Sequence, residues 1–182
     1  MVDEDVDIFD CTVPWHLKKE MQRVQSKEID AIPYLTESYK KQPMNHESII
    51  WNYIRSNHVL SITSFHNGDV WAANLFYACD YEQKRLLFMT SEINTKHGAL
   101  MLANSHVVGT ICDQTVDVAQ LKGLQYAGVA TIIHTPEALD VYMQQFPMAK
   151  QHQETLWMIT FTALKLTDNS AGFGTKYTWN IE

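Results

Sequence analysis

The chain has few cysteines, no long hydrophobic run and no basic residue among its first ten. Its three cysteines, Cys11, Cys79 and Cys112, are odd in number and widely separated, which predicts reduced thiols rather than a disulfide framework. No apolar stretch approaches the ~20 residues that a membrane-spanning helix needs. The first five residues are acidic and polar, unlike the basic start and apolar run of a signal peptide. These absences predict a cytoplasmic protein without a membrane segment.

Basic residues are also too few and too scattered for a nucleic-acid surface. The 182 residues include 14 basic and 21 acidic side chains, giving a formal net charge of −7, and lysine and arginine form no cluster. We therefore expect no nucleic-acid partner and no anionic membrane, although the charge is compatible with a local pocket for one phosphate. The hydrophobic fraction of 46% is ordinary for a globular protein of this length with a sizeable core.

Several catalytic and metal-binding motifs are absent. Gly123 and Gly128 have the spacing of a phosphate loop but lack the Lys-Ser/Thr pair that follows it. The segment 172–174 lacks the third glycine of a dinucleotide fingerprint, and no Gly-x-Ser-x-Gly nucleophile elbow occurs. None of the eight histidines has a Cys, His or Glu at metal-ligand spacing. The sequence predicts no metal site and identifies no catalytic residue.

The residue pattern divides the chain near Met44. Residues 1–43 contain three of the five prolines and no strand alternation, which predicts an N-terminal extension that is partly helical or loosely ordered. Met44 is a candidate alternative start of translation. Residues 44–182 are strongly patterned and predict a single domain.

Within residues 44–182 the pattern predicts short strands with helices between them. Alternating apolar and polar residues at 58–65 and 70–78, joined by Asn67-Gly68, predict a tight hairpin. Further strands are predicted at 85–91, 107–112, 116–133, 155–166 and 173–181, and helices at 49–54 after Asn45, at 94–103, and after Thr135 as N-cap. Six or seven mostly antiparallel strands with short flanking helices predict an α+β domain of β-barrel type.

A strand end followed by a helix start carries the chemistry of one candidate site. Ser91 and Thr95 offer hydroxyl groups there, Lys96 offers a cation and His97 a further donor. The first turn of a helix presents unpaired N–H groups and partial positive charge, which favour a phosphate. On spacing alone, the simpler interpretation is a helix cap in which Asn94 and Thr95 bind the helix's own amides.

Three segments carry a resemblance to a known family. They are residues 68–77 (GDVWAANLFY), 118–128 (VAQLKGLQYAG) and 168–174 (DNSAGFG), the last continuing through Lys176 to Trp179. Through them, residues 44–182 resemble the FMN-binding split-barrel proteins related to pyridoxamine 5′-phosphate oxidase, and especially an uncharacterised bacterial group of small members. The resemblance implies a split β-barrel, a homodimer, and FMN bound at the dimer interface.

The resemblance also implies phosphate-binding residues. In the oxidase, a hydroxyl residue ends one strand and a Ser-Arg-Lys run then binds the flavin phosphate. In this chain Ser91 falls on the first position, and Thr95, Lys96 and His97 fall on the run. His97 therefore stands where the oxidase has a lysine, so one fixed positive charge is missing.

Residues beside the flavin ring are implied in the same way. Ala73 and Asn74 fall on the strand that runs beside the isoalloxazine ring, and Gln125 falls on another strand that faces it. For Asn74 and Gln125, a role as buried polar or dimer-contact residues remains open. The oxidase's C-terminal substrate-binding signature, rich in Arg, Trp and Gly, is not found. The chain is therefore not expected to oxidise pyridoxamine phosphate.

These features together predict an FMN-binding homodimer, a flavin-dependent oxidoreductase acting on an unidentified small molecule. Flavin would supply the redox chemistry, and the protein would bind and orient it. Two alternatives remain open. One is a non-catalytic protein that binds or senses flavin or another phosphorylated ligand, and the other is a cofactor-free split-barrel dimer. The missing positive charge at His97 is the feature that favours the latter.

Overall fold

The computed structural model of the protein describes residues 46–151 and 154–180, without the side chain of residue 180. The predicted extension over residues 1–43, the candidate start Met44 and the predicted cap Asn45 lie outside these residues.

The described residues form seven strands and three α-helices. In chain order they are α1 (His46–Ser56), β1 (Val59–His66), β2 (Asp69–Asp80), β3 (Arg85–Met89), α2 (Lys96–Ala103), β4 (His106–Cys112), β5 (Lys122–Ile132), α3 (Pro136–Gln145), β6 (Leu156–Asp168) and β7 (Thr175–Asn180). Short 3-10 turns cover Val118–Gln120, Pro147–Gln151 and Asn169–Ala171.

The strands form one antiparallel sheet that closes on itself. Its order is β3-β2-β1-β4-β5-β6-β7, with a further pairing between β3 and β6. The first half of β6 pairs with β3 and the second half pairs with β7, so six strands close a ring and β7 extends it. This α+β split barrel confirms the predicted fold class.

Local sequence signals account for several boundaries. Asn67 and Gly68 have φ angles of 48° and 87°, the positive values that the tight turn of the β1–β2 hairpin requires. Thr135 caps α3 by accepting a hydrogen bond from the backbone N–H of Ala138 at 3.4 Å, and Pro136 follows in the first turn. These boundaries could be predicted from the sequence because the interactions that set them are local.

One predicted strand is wrong at its start. The expected strand 116–133 begins only at Lys122, after the 3-10 turn Val118–Gln120. Asp117 starts this turn by accepting a hydrogen bond from the N–H of Ala119 at 3.0 Å. The side-chain amide of Asn169 then donates to the carbonyl oxygen of Val118 at 2.8 Å. Because Asn169 lies about fifty residues away in the chain, strand propensity could not reveal this contact.

Aromatic side chains fill the interior of the barrel. Trp51, Tyr77, Phe88, Trp157 and Phe161 are almost fully buried. Trp51 comes from α1, and its ring centroid lies 5.8 Å from that of Phe161. Phe88 and Trp157 stack with their centroids 6.3 Å apart. These rings therefore form the centre of the core of the described domain.

Candidate functional site

The loop before α2 holds its own hydroxyl groups in local hydrogen bonds. The Thr95 hydroxyl donates to the carbonyl oxygen of Ser91 at 2.7 Å and accepts from the N–H of Gly98 at 3.1 Å. The Ser91 hydroxyl accepts from the N–H of Asn94 at 2.9 Å. Thr95 is therefore the N-cap of α2, and both hydroxyls shape the loop.

Gly98 lets this loop lie directly against the first turn of α2. A Cβ placed at Gly98 would come within 2.2 Å of the carbonyl oxygen of Ser91 and 2.9 Å of the Cα of Glu92. Both atoms belong to the backbone, so any side chain at this position would push the loop away. The glycine thus fixes where Ser91 sits relative to the start of the helix.

Lys96 supplies the cation at this helix start. Its Nζ lies 3.2 Å from the Oδ1 of Asp69, and both side chains are largely exposed. The same Nζ lies 5.2 Å from the ring centroid of Trp71. Within the described part of the chain, the backbone N–H groups of Lys96 and His97 have no hydrogen-bond acceptor, as expected for a first helical turn. One cation and two N–H groups are the chemistry of a site for a single anionic group.

His97 is placed differently from a phosphate-binding cation. Its side chain is buried, and its Nε2 lies 2.7 Å from the hydroxyl oxygen of Thr90. Burial lowers the pKa of the imidazole, because a charged ring loses its hydration there. The carbonyl oxygen of Thr90 also accepts from the indole Nε1 of Trp157 at 3.2 Å. His97 is therefore neutral at pH 7 and anchors the loop to the core.

The lowered pKa of His97 predicts a loss of stability in acid. Below about pH 6.5 the unfolded chain protonates this imidazole more readily than the folded protein does, so the free energy of unfolding falls as the pH drops. In His97→Gln, which keeps a hydrogen-bonding group for Thr90, the fall between pH 7 and pH 5 should be smaller. Urea unfolding of both proteins at the two pH values measures the difference. Equal losses would contradict a buried neutral imidazole.

A polar row crosses four strands on the outer face of the barrel. It consists of Asn74, Ser61, Thr110 and Gln125, in which each residue lies directly opposite the next in the sheet register. The Ser61 and Thr110 hydroxyl oxygens are 2.8 Å apart, and the Thr110 N–H donates to the Ser61 hydroxyl at 3.0 Å. The predicted residues Asn74 and Gln125 therefore share one face. Sequence reasoning missed Ser61 and Thr110, because only the register brings them between the other two.

Ala73 points the other way. It lies opposite Ile62, which is fully buried, and packs against the core. The pairing of β2 with β3 begins only at Tyr77, so the earlier half of β2 forms an edge of the barrel. Tyr77 donates its N–H to the carbonyl oxygen of His58, so alternation along the ladder makes Ala73 and Ile62 a hydrogen-bonded pair. The backbone groups of Ala73 therefore face β1 rather than the edge, and its side chain faces the interior.

The seven predicted residues fall into two groups. Ser91, Thr95, Lys96 and His97 lie at the start of α2, and Asn74 and Gln125 belong to the polar row, with Ala73 beside it. Asp69, the partner of Lys96, precedes Asn74 by five residues of β2, which is about 16 Å along a strand. Because five is an odd number of residues, the side chains of Asp69 and Asn74 lie on opposite faces of β2.

Exposed hydrophobic side chains surround the polar row. Val59, Phe65, Val70, Phe76 and Val108 are between 39% and 62% exposed, and alternation along β1, β2 and β4 places them on the same side as the row. We call this set the outer apolar face. A patch of this kind usually marks an interaction surface.

The described residues contain neither a metal-binding cluster nor a membrane-spanning helix. No three His, Cys, Asp or Glu side chains among residues 46–151 and 154–180 are grouped so that they could hold a metal ion. No helix in the same part of the chain has the length and apolar character needed to span a membrane.

Comparison with solved structures defines the class of protein. A heme binding protein from Mycobacterium smegmatis matches with a TM-score of 0.60 at 16% identity, over 74% of this chain and 56% of that one. A FAD-binding protein from Mesorhizobium loti matches with a TM-score of 0.57 at 12% identity, over 66% of this chain and 90% of that one. These matches agree with the split-barrel fold described above.

Comparison with curated proteins defines the family. A UPF0306 protein from Serratia proteamaculans is 39% identical over 133 residues, covering 71% of this chain and 92% of its own length. A UPF0306 protein from Yersinia enterocolitica is 38% identical over 135 residues, covering 72% and 91%. The chain belongs to the UPF0306 family, which confirms the predicted relation to an uncharacterised group of small bacterial proteins. No family model matches the chain.

Proposed function

We propose that the protein binds FMN on the outer surface of its barrel, as a homodimer, and works as a flavin-dependent oxidoreductase on a small molecule. The observation that carries this proposal is the polar row, an ordered set of hydrogen-bonding groups on one outer face of the sheet. A heme binding protein and a FAD-binding protein share the fold, which supports a planar cofactor. The resemblance to the oxidase family supports FMN in particular.

The start of α2 fits one phosphate group. Lys96 would bind it through its Nζ, and the backbone N–H groups of Lys96 and His97 would donate to its oxygens. The ion pair between Lys96 and Asp69 is exposed, so it contributes little to the stability of the fold. Lys96 can therefore leave Asp69 and bind a more strongly charged anion. His97 adds no charge, and the site therefore relies on a single lysine.

The outer face fits the ring of the cofactor. Asn74 and Gln125 carry amide groups, while Ser61 and Thr110 carry hydroxyls, so the polar row can both donate and accept hydrogen bonds along a ring edge. Exposed side chains such as Phe76 can pack against an aromatic surface. FMN, when bound, supplies the redox chemistry, while the residues of this chain hold and orient it.

The outer apolar face is the surface that we propose for dimerisation. Its five hydrophobic side chains are spread over three adjacent strands. A two-fold symmetric contact would cover the same patch on both copies, and it would remove the ring of the cofactor from bulk water.

Replacing Lys96 tests the phosphate assignment. Lys96→Ala should weaken FMN binding roughly tenfold or more, because a hydrogen bond to a charged group contributes about 1.5–3 kcal/mol. Titration of the full chain with FMN, followed by absorbance and fluorescence, gives the dissociation constants. Lys150→Ala, which removes an exposed lysine outside both groups, is the matched control and should bind like the wild type.

The outcomes of this titration separate the possibilities. An unchanged dissociation constant for Lys96→Ala would refute the phosphate assignment, and a wild-type protein that ignores FMN would refute the flavin proposal. If FMN binds tightly, NAD(P)H oxidation by the loaded protein supports the oxidoreductase role. Binding without turnover with any electron donor would favour a flavin-sensing protein.

A further inference from the structure

A cavity of about 460 Å³ opens between α3 and the adjoining ends of β3, β5 and β6. Its large hydrophobic lining residues are Met89, Ile133, Leu139, Met143 and Leu156. The volume lies within the range of small-molecule sites, about 300–1,000 Å³. Among the described residues that line the cavity, none belongs to the polar row or to the loop before α2. It is therefore a separate candidate site.

Contacts between the strands hold the floor of this cavity in place. Met89 lies opposite Leu156 in the pairing of β3 with β6. The N–H of Ile133 donates to the carbonyl oxygen of Leu156 at 3.0 Å, and both of these side chains are buried. Helix α3 packs on the sheet through its buried residues Ala138 and Tyr142. The cavity is therefore formed by the folded domain itself, as is usual for small-molecule sites.

The charged groups of the cavity lie at its mouth. Lys150 and Glu154 are exposed and carry opposite charges, so the mouth does not favour a ligand of one sign. The hydroxyl of Thr135, also in the lining, accepts from the N–H of Ala138 at 3.4 Å as the N-cap of α3. A charged group deeper in the cavity would lose its hydration among hydrophobic side chains, which is unfavourable. The interior therefore fits an uncharged ligand.

We propose that this cavity binds a small, uncharged molecule that contains an aromatic ring. Met89 and Met143 both line it, and the sulfur of methionine makes favourable contacts with aromatic rings. Contact with the hydrophobic lining removes apolar surface of the ligand from water, which drives binding. The cavity can bind this ligand whether or not FMN binds elsewhere, because its lining residues are separate from the residues proposed to bind FMN.

The test is a fluorescence titration of the full chain with N-phenyl-1-naphthylamine, an uncharged aromatic probe that becomes brighter in an apolar site. We expect saturable binding with one probe per chain. Leu139→Glu should weaken this binding about tenfold or more, because the probe would have to displace water from a carboxylate in the cavity wall. Leu139 is 39% exposed, so the free protein can keep the glutamate hydrated. Leu139→Met retains an apolar wall and should bind like the wild type.

Two further variants locate the bound probe. Met143→Gln also makes the lining polar and should weaken binding, which keeps the test valid if Leu139→Glu does not fold. Val108→Glu alters the outer apolar face and should leave probe binding unchanged.

The proposal would be overturned by a lack of saturable binding, by wild-type affinity in both cavity variants, or by loss of binding in Val108→Glu alone. Displacement of the probe by FMN would overturn it too, because the cavity would then be part of the flavin site. A protein that binds the probe as expected but does not bind FMN would refute the proposed function and support the cavity as a ligand site.

Discussion

Gly109→Ala is expected to lower the free energy of unfolding by about 3 kcal/mol, the upper range for overpacking a core. A Cβ at this position on β4 would lie 2.0 Å from the carbonyl oxygen of Ser61 and 2.5 Å from the hydroxyl oxygen of Tyr126. The first of these atoms is backbone in the paired strand β1, so it cannot move aside without disturbing the sheet. The second donates to the carbonyl oxygen of Ser61 at 2.8 Å, and the added methyl group would break this hydrogen bond.

Gly123→Ala is the matched control for this substitution. Gly123 lies on β5 opposite Cys112, and the nearest atom to a Cβ there is the Cys112 sulfur at 3.9 Å, an ordinary contact. We expect this variant to match the wild type or gain about 0.5–1 kcal/mol, since glycine weakens a strand. Urea unfolding followed by circular dichroism compares the three proteins. Equal stability of the Gly109→Ala variant and the wild type would contradict the close approach of β4 and β1.

The second large effect is expected in oligomeric state. Val108→Glu should convert the proposed dimer into a monomer at micromolar concentration, because it places a charge within the outer apolar face. Val108 lies opposite Thr63 on one side and Ala127 on the other, so a buried glutamate would have no basic partner in its own sheet neighbours. Burying an unpaired charge costs several kcal/mol. Size-exclusion chromatography with light scattering measures the mass.

Val116→Glu controls for the added charge. Val116 is fully exposed in the loop before the 3-10 turn Val118–Gln120 and does not belong to the outer apolar face. This variant should keep the mass of the wild-type protein. A dimeric Val108→Glu protein would exclude the outer apolar face as the interface, and a monomeric wild type at high concentration would exclude the homodimer.

Much of the fold could be predicted because its signals are local. Alternation at residues 58–65 and 70–78 identified two strands, and Asn67-Gly68 identified the turn between them with its positive φ angles. Thr95 and Thr135 are both N-cap residues, and the hydroxyl of each accepts a hydrogen bond from a backbone N–H group in the first turn of its helix. Each of these signals acts within a few residues, so the sequence displays it directly.

The candidate site could be predicted only in part from the sequence. Resemblance pointed to Asn74 and Gln125 separately, but nothing in the sequence linked them to Ser61 and Thr110. The charge of His97 was also hidden, because it depends on burial against Thr90 rather than on neighbouring residues. Ala73 and Asn74 are adjacent in β2, so alternation turns their side chains to opposite faces, and the pairing with β1 shows that Ala73 is the one that faces the core.

The sequence by itself determined the class of fold, the strand and helix order, the hairpin turn and the helix caps, because periodicity, turn conformation and capping are properties of neighbouring residues. The tertiary structure decided which side chains meet. Sheet register gathers residues 61, 74, 110 and 125 from four strands onto one face, and packing against the core makes His97 neutral. Both depend on contacts between distant segments, whose free energy is set by burial and pairing in the folded chain.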